Sequence, residues 1–567
     1  VRRPAADRPA QPKEAGKRMR ITHLWKSSLG SLFDRRAETG KPMLFRLGRP
    51  LDIDPAARTI LDIEAIAQCV RDTAGALHAA GVGPGDRFAV YKDNHFDCLL
   101  LAAAGIRIGA VPVMLSGLLP HDSVRPLLQR VEPKLLVSTQ RLLTGKGSDG
   151  KPLTSFAERT LYLGGSGGSG GDDGSDGSTP DAMAFAELYG STDPAPVPRG
   201  DDELMMLTHT SGTTGVPKLI MYTPATLQGR MARLECRHLP PVTIRRNDTV
   251  AMFTPYVHAR AFTWIYSVLT LSPAKVLLMS DSDPEVVGPL FRRHRPTVIE
   301  GLPIDFSHME ELAADPRQGA FSSVRMFIGN FDAVHWSTIR TFLNASRHRF
   351  PVWREGYGQS ETGGMGMTFI TRPTANKPRD QYAGPRKVGR PMPGFVQLKV
   401  VDPGTFRPVP NGRPGLVLAR TKARCVGYYR EPERWNEKAV GEWWNTGDIG
   451  IKTRTGSLKL LDREVNYTPG VSRIEQEDVI VDHLPARHDV ALLPVPDGPP
   501  IPIVATPDGQ LDREHWRKAI RGLPELAEPI VIDFKDMPRT GTGKIIREEL
   551  RRRYLDGVEN PGTGRWT

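Results

Sequence analysis

The chain has little sulfur, no long apolar run and no tandem repeat. Its 567 residues include four cysteines, Cys69, Cys98, Cys236 and Cys425. They stand without CxxC pairs or histidines at zinc spacing, which argues against a disulfide framework and a structural metal. No apolar stretch reaches membrane-spanning length, so no membrane span is expected. Residues 1–20, VRRPAADRPAQPKEAGKRMR, carry charges with no apolar core behind them and read as a disordered basic tail, not a secretory leader. A reducing cytoplasm is the expected setting. Aromatic-plus-basic RNA motifs and Cys/His fingers are also lacking, so the formal net charge of +12 does not signal nucleic acid. That charge suits an acidic protein or a phosphorylated small molecule.

What is present is a globular composition, with 39% hydrophobic and 25% charged residues, on a chain long enough for two or more domains. From Leu61, LDIEAIAQCVRDTAGALHAAGV places apolar residues at helical spacing, and GVGPGDRFAVYKDN turns into a short strand. FDCLLLAAAGIRIGAVPVML and SVRPLLQRVEPKLLVST repeat the helix-then-strand alternation that builds a mostly parallel sheet. The expected class is therefore α/β. The Gly/Ser-rich stretch 164–180 reads as a flexible surface loop, because it cannot bury enough apolar area to offset its ordering entropy. Near Leu460, WWNTGDIGIKTRTGSLKLLDR predicts a β-hairpin ending in a charged pair. IEQEDVIVDHL and HDVALLPV then predict a helix and a strand of a smaller unit. The expected domains are 21–461 and a small α+β unit, 462–567, with the boundary at Asp462 and Arg463.

Four motifs carry chemistry. HTSGTTGVPKLIMYT, residues 209–223, sets hydroxyls, glycines and a lysine between apolar stretches. It is not a Walker A loop, because Val216 and Pro217 separate Gly215 from Lys218, and GxGxxG is absent. Its backbone amides and hydroxyls suit phosphate oxygens. GYGQSETGG, residues 356–364, puts Glu361 behind a Gly/Ser turn, where a carboxylate can hold magnesium on a phosphate. WWNTGD ends in Asp448, suited to accept both ribose hydroxyls, and MPRTGTGKIIREEL delivers Lys544 from a glycine-rich turn ahead of a helix.

In this order and at these separations, the motifs resemble the adenylate-forming superfamily of acyl-CoA synthetases, peptide-synthetase adenylation domains and luciferases. The blocks GVGPGDRFAV, IRIGAVPVML, RPTVIEGLP, GRPMPGF and GYYREPERW fall where that family has equivalents. The resemblance implies a large N-terminal domain and a small mobile C-terminal one that rotates after adenylation. It implies that Thr210, Ser211, Gly212, Thr213, Thr214, Gly215 and Lys218 hold the β- and γ-phosphates of ATP, with Thr214 and Lys218 also in the catalytic set. Glu361 would bind Mg²⁺, and Asp448 with Arg463 would bind ribose. Tyr357, Gly358 and the segment from Gly329 to Phe331 would border adenine, and Lys544 would reach the reacting α-phosphate. A magnesium ion and a lysine on the developing charge supply much of such a reaction, and an ionised nucleophile needs no general base.

Three features depart from the family pattern. The segment after Arg463, DREVNYTPGVSRIEQEDVI, carries Asn466 and is about two residues short, which puts transfer to CoA in doubt. IGNFDAVH puts Phe331 where a small run is usual, and FTPYVHARAFTW places His258 and Arg260 beside the expected substrate pocket, with Gly356 on its other side. An arginine there suggests an anionic or strongly polar substrate. The expected activity is ATP- and Mg²⁺-dependent adenylation of a small aromatic or polar carboxylate, with release of pyrophosphate and transfer to CoA, an acidic carrier protein or an amine. Two alternatives are a diazotase that adenylates nitrite for an aryl amine, and a non-catalytic ATP- or carrier-binding protein.

Overall fold

The computed structural model describes residues 21–145, 147–148, 150–164, 181–210, 216–239, 242–315, 317–377, 387–464, 467, 472–495 and 498–555. The expectations for the basic tail, for the Gly/Ser loop beyond Gly164 and for Asn466 lie outside these residues.

Apolar residues at helical spacing produce the helix Ile63–Ala79, but its start differs from the sequence reading. Leu61 belongs to a short strand, Ile60–Asp62, and Asp62 caps the helix by accepting from Ala65 N–H. The next helix, Asp97–Arg107, is buried all round, which is why CLLLAAAG shows no polar face. Between these helices and beyond them run Arg87–Lys92, Val111–Ser116 and Leu135–Thr139, paired in parallel. Val111–Ser116 is buried at every position, as a parallel strand covered on both faces must be. These strands lie in an eight-stranded sheet, closed on one side by the antiparallel pair Met206–His209 and Leu219–Tyr222.

A fourteen-stranded sheet forms the second layer. Its centre is parallel, through Thr249–Met252, Val298–Gly301, Met326–Gly329 and Val352–Gln359. From Gly363–Thr371 onward its pairings are antiparallel. The hairpin read from WWNTGD onward is Trp443–Lys452 against Leu458–Arg463. A three-stranded sheet of Asp489–Val495, Gly498–Thr506 and Ile530–Asp533 follows, packed on the helix Arg473–Val481. The four cysteines are free, and no helix among the described residues is long and apolar enough to cross a membrane.

The topology gathers functional side chains at one end. Ser116, His209, Leu302 and Asn330 each end or follow a parallel strand at its carboxyl end, and His258 lies a short loop beyond Met252. Open parallel sheets bind ligands at that edge.

Candidate active site

Strand pairing pinches the hydroxyl-rich loop at its base. His209 lies opposite Leu219. Just beyond, Thr210 N–H donates to the Lys218 carbonyl at 2.9 Å, and Lys218 N–H donates to Thr210 Oγ1 at 3.0 Å. Ser211, Gly212, Thr213, Thr214 and Gly215 lie outside the described residues.

The Lys218 ammonium lies 4.9 Å from the centre of the Tyr428 ring, a cation–π contact. Burial lowers its pKa, with Arg434 adding to the effect and Glu361 opposing it. The Tyr428 hydroxyl donates to Glu361 Oε1 at 2.7 Å, and among the described residues it is the one hydrogen-bond partner of that carboxylate. Among the described residues Oε2 has no hydrogen-bond partner, and a carboxylate oxygen is a donor suited to a hard divalent cation. Lys218, Tyr428 and Glu361 thus form one cluster, drawn from three separate motifs.

Asp448 and Arg463 are cross-strand partners. Arg463 Nη1 donates to Asp448 Oδ1 at 2.7 Å, while the Tyr357 hydroxyl and Gln359 amide donate to Oδ2 at 2.7 and 3.2 Å. Tyr357 is buried, so its hydroxyl orients Asp448. Gly356 and Gly358 on the same strand are exposed and present bare backbone. A Cβ on Gly358 would sit 2.6 Å from the Gly363 carbonyl oxygen, so a β-bulge here leaves no room for a side chain.

At the carboxyl end of the parallel sheet, Gly329 ends its strand, and Phe331 two residues later has φ +75°. A bulky aromatic residue rarely adopts this left-handed conformation, and such strain collects at functional sites. Its ring meets His258 edge-on at 5.8 Å, and His258 lies 4.9 Å from His209. The two histidines differ in wiring. His209 Nδ1–H donates to the Thr210 carbonyl at 2.7 Å and Nε2 accepts from Ser116 N–H at 3.2 Å, so its tautomer is fixed. Burial lowers its pKa to about 4. His258 is buried, its Nε2 has no hydrogen-bond partner among the described residues, and burial, then His209 and Lys544, drive its pKa well below the ordinary value. Both rings are neutral near pH 7.

Arg260 faces neither a free anion position nor solvent. Its Nε and Nη2 donate to Glu300 Oε1 and Oε2 at 2.7 and 2.9 Å, and Nη1 lies 3.2 Å from Glu235. Asn330 Nδ2 donates to Glu300 Oε1 at 2.6 Å. Burial, which alone would lower the Arg260 pKa, is outweighed by the two carboxylates, and the net shift is upward. The fork expected to grip an anionic substrate is therefore already filled, because Glu300 lies on a buried strand and needs a cation.

Lys544 arrives from the far end of the chain. Its turn is closed by Thr540 N–H to the Lys544 carbonyl at 2.8 Å and Lys544 N–H to Thr540 Oγ1 at 3.2 Å. A Cβ at Gly541 would lie 3.1 Å from Ser116 Oγ, and one at Gly543 2.7 Å from Ile304 Cγ2. The turn is thus seated against the carboxyl ends of both large sheets, with Lys544 acting on His258.

Sequence reasoning passed over Tyr428, Gln359, Glu300 and Glu235. Tyr428 stood in GYYREPERW, and Glu300 was a lone carboxylate in the apolar run TVIEG; each carried a signal.

A family model described as AMP-binding enzyme matches residues 61–429, well over half of the chain. The chain belongs to the AMP-binding enzyme family. This AMP-binding enzyme is 35% identical over 549 residues to the 3-amino-2-hydroxy-4-methoxybenzoate diazotase of Streptomyces cremeus, covering 94% of this chain and 97% of that one. It is 25% identical over 531 residues to 4-coumarate–CoA ligase 5 of Oryza sativa subsp. japonica, covering 90% and 93%. Its fold matches a benzoate CoA ligase from Burkholderia xenovorans LB400 with TM-score 0.72 at 19% identity, covering 93% and 100%. The AMP-binding enzyme described here is adenylate-forming, with a mixed α/β fold of large sheets.

Proposed function

We propose that this enzyme adenylates nitrite with ATP and passes the nitroso group to an aryl amine, giving a diazonium ion. The observation that carries the reading is the 35% identity, nearly end to end, with a diazotase, against 25% with a CoA ligase. A nitrite oxygen attacks the α-phosphorus, and the bond to pyrophosphate breaks. The amine nitrogen then attacks the nitroso nitrogen, AMP leaves, and the N-nitroso amine loses water to give the diazonium ion. Nitrite is already an anion, so no base is needed for the first step. In this reading Lys218 and the loop from Thr210 hold the outer phosphates, Asp448 and Arg463 take the ribose, and Lys544 meets the α-phosphate. Residues 462–567 act as the mobile domain. Mg²⁺, held by Glu361, neutralises phosphate charge when bound.

A second reading, adenylation of a small aromatic carboxylate with transfer to CoA or an amine, draws support from the likeness to 4-coumarate–CoA ligase 5. Pyrophosphate release separates the two. The enzyme is incubated with ATP and Mg²⁺, and with either nitrite plus aminobenzoates or a panel of aromatic carboxylic acids. Nitrite-dependent release, with a diazonium product trapped by azo coupling, supports the diazotase. Release with carboxylic acids alone overturns it.

Tyr428→Phe removes the hydroxyl that orients Glu361. The expected result is a rise of about tenfold or more in the Mg²⁺ concentration for half-maximal pyrophosphate release, with the thermal midpoint little changed. An unchanged Mg²⁺ requirement would remove Glu361 from the metal role.

A further inference from the structure

The seam between the residues around Lys544 and the rest of the chain is held by charge. His335, the residue before the helix Trp336–Ala345, has Nδ1 3.3 Å from Asp478 Oδ1 and Nε2 3.6 Å from Asp489 Oδ1. Both ring nitrogens face carboxylates, and a neutral imidazole has one N–H to give, so only the imidazolium serves both. Asp489 Oδ2 in turn accepts from Arg539 Nη2 at 2.6 Å, and Arg539 Nη1 donates to the Gly543 carbonyl at 3.1 Å. Gly543 immediately precedes Lys544. An unbroken chain of polar contacts therefore runs from the helix Trp336–Ala345, through Asp489 and Arg539, to the lysine turn.

We propose that His335 is a positioning residue for adenylate formation, which through Asp489 and Arg539 fixes the turn of Lys544 against the carboxyl ends of the large sheets. The proposal rests on the reading that Lys544 acts in that step. The other charges at the seam are of mixed polarity. Arg340 reaches Asp482 at 3.4 Å, and Glu310 adds negative charge near His335. Arg487 on the C-terminal side meets Glu311 at 3.8 Å. A cavity of about 220 Å³, lined by His335, Asp489, Arg539, Glu310, Thr338 and Arg487, lies beside the relay. Open space next to the ring leaves the ion pairs as the contacts that hold His335, while close packing at Gly541 and Gly543 seats the turn itself. It also leaves room for substitutions.

The two aspartates outweigh the burial of the ring and raise the His335 pKa from 6.5 to about 10. The raised value fixes the sign. The contribution of His335 to the docked arrangement is complete below the free value and fades as pH climbs through about 10. The relay is thus intact at neutral pH. Rotation of the C-terminal residues away from this position would break the contacts of His335 with Asp478 and Asp489 together.

The test uses the full chain and ATP-dependent pyrophosphate release with whichever acid the panel identifies. His335→Gln keeps a hydrogen-bonding group and removes the charge, while His335→Lys keeps a cation. His335→Gln is expected to lower kcat for pyrophosphate release at least about tenfold with KM for ATP within about twofold, and His335→Lys to recover much of the loss. Lys544→Ala runs alongside. If Lys544→Ala is impaired and His335→Gln is not, the relay is overturned while the reading of Lys544 stands. If Lys544→Ala is itself unaffected, that reading falls and takes the relay with it. Equal losses in His335→Gln and His335→Lys would mark a packing role and also overturn the proposal.

Discussion

Lys544→Ala is expected to lower pyrophosphate release about 10²–10³-fold, a loss of about 2.7–4 kcal/mol of transition-state stabilisation, while ATP still binds. The lysine sits on a turn seated by Ser116 and Ile304, beside a histidine that burial keeps neutral. A neutral His258 leaves Lys544 as a concentrated positive charge at that end of the site, and charge accumulating on the α-phosphate oxygens is what such a group stabilises. ATP affinity should depend more on Lys218 and Glu361, clustered around Tyr428, and on Asp448, held by Tyr357, Gln359 and Arg463. Kinetics of pyrophosphate release and equilibrium binding of ATP, measured on the same variant, separate the two effects. Loss of binding in step with loss of rate would mean that Lys544 holds ATP and does not stabilise its reaction. Arginine should rescue poorly, because a planar fork does not replace a compact ammonium.

The second large effect concerns stability. Arg260→Leu removes the guanidinium that hydrogen-bonds Glu300, at 2% side-chain exposure, and pairs with Glu235, at 22%, and leaves the two carboxylates with the longer-range charge of Arg354. Breaking a buried ion pair from one side costs about 3–5 kcal/mol. A urea titration followed by a probe near Arg260 should therefore show the unfolding midpoint falling sharply. Arg260→Leu with Glu300→Leu should recover much of that loss, because the uncompensated charge goes with its partner. A single substitution that shifts stability by less than about 1 kcal/mol would mean that the pair behaves as an exposed one. Arg260 would then be available to a substrate after all.

The hairpin around Asp448 was readable from sequence because strand alternation and a Gly turn are local signals, and the structure pairs Asp448 with Arg463 across it. The alternation through residues 61–139 was readable for the same reason. Arg260 shows where local reading stops. Its spacing placed it beside the expected pocket, yet its partners come from Glu235 and Glu300, one on a separate helix and the other on the strand paired directly with Thr249–Met252. Nothing near Arg260 in the chain announces them. Tyr357 is expected to border adenine, and its hydroxyl is committed to Asp448 by a contact from the last parallel strand to a strand of the antiparallel flank. His335 escaped notice because its carboxylate partners lie more than a hundred positions downstream, and a single histidine before a helix has no motif to mark it.

The fit of Gly541 against Ser116 and of Gly543 against Ile304 carries a lesson for the history of such chains. Two walls built early in the polypeptide dictate the smallest side chains near its end, so drift at one place must be answered at the other. Among relatives that keep the late lysine, bulk at the positions of Ser116 and Ile304 should trade against bulk at those of Gly541 and Gly543. The two stretches would then be inherited as a matched pair, and exchanging only one between distant cousins should yield a hybrid that folds but cannot start its reaction.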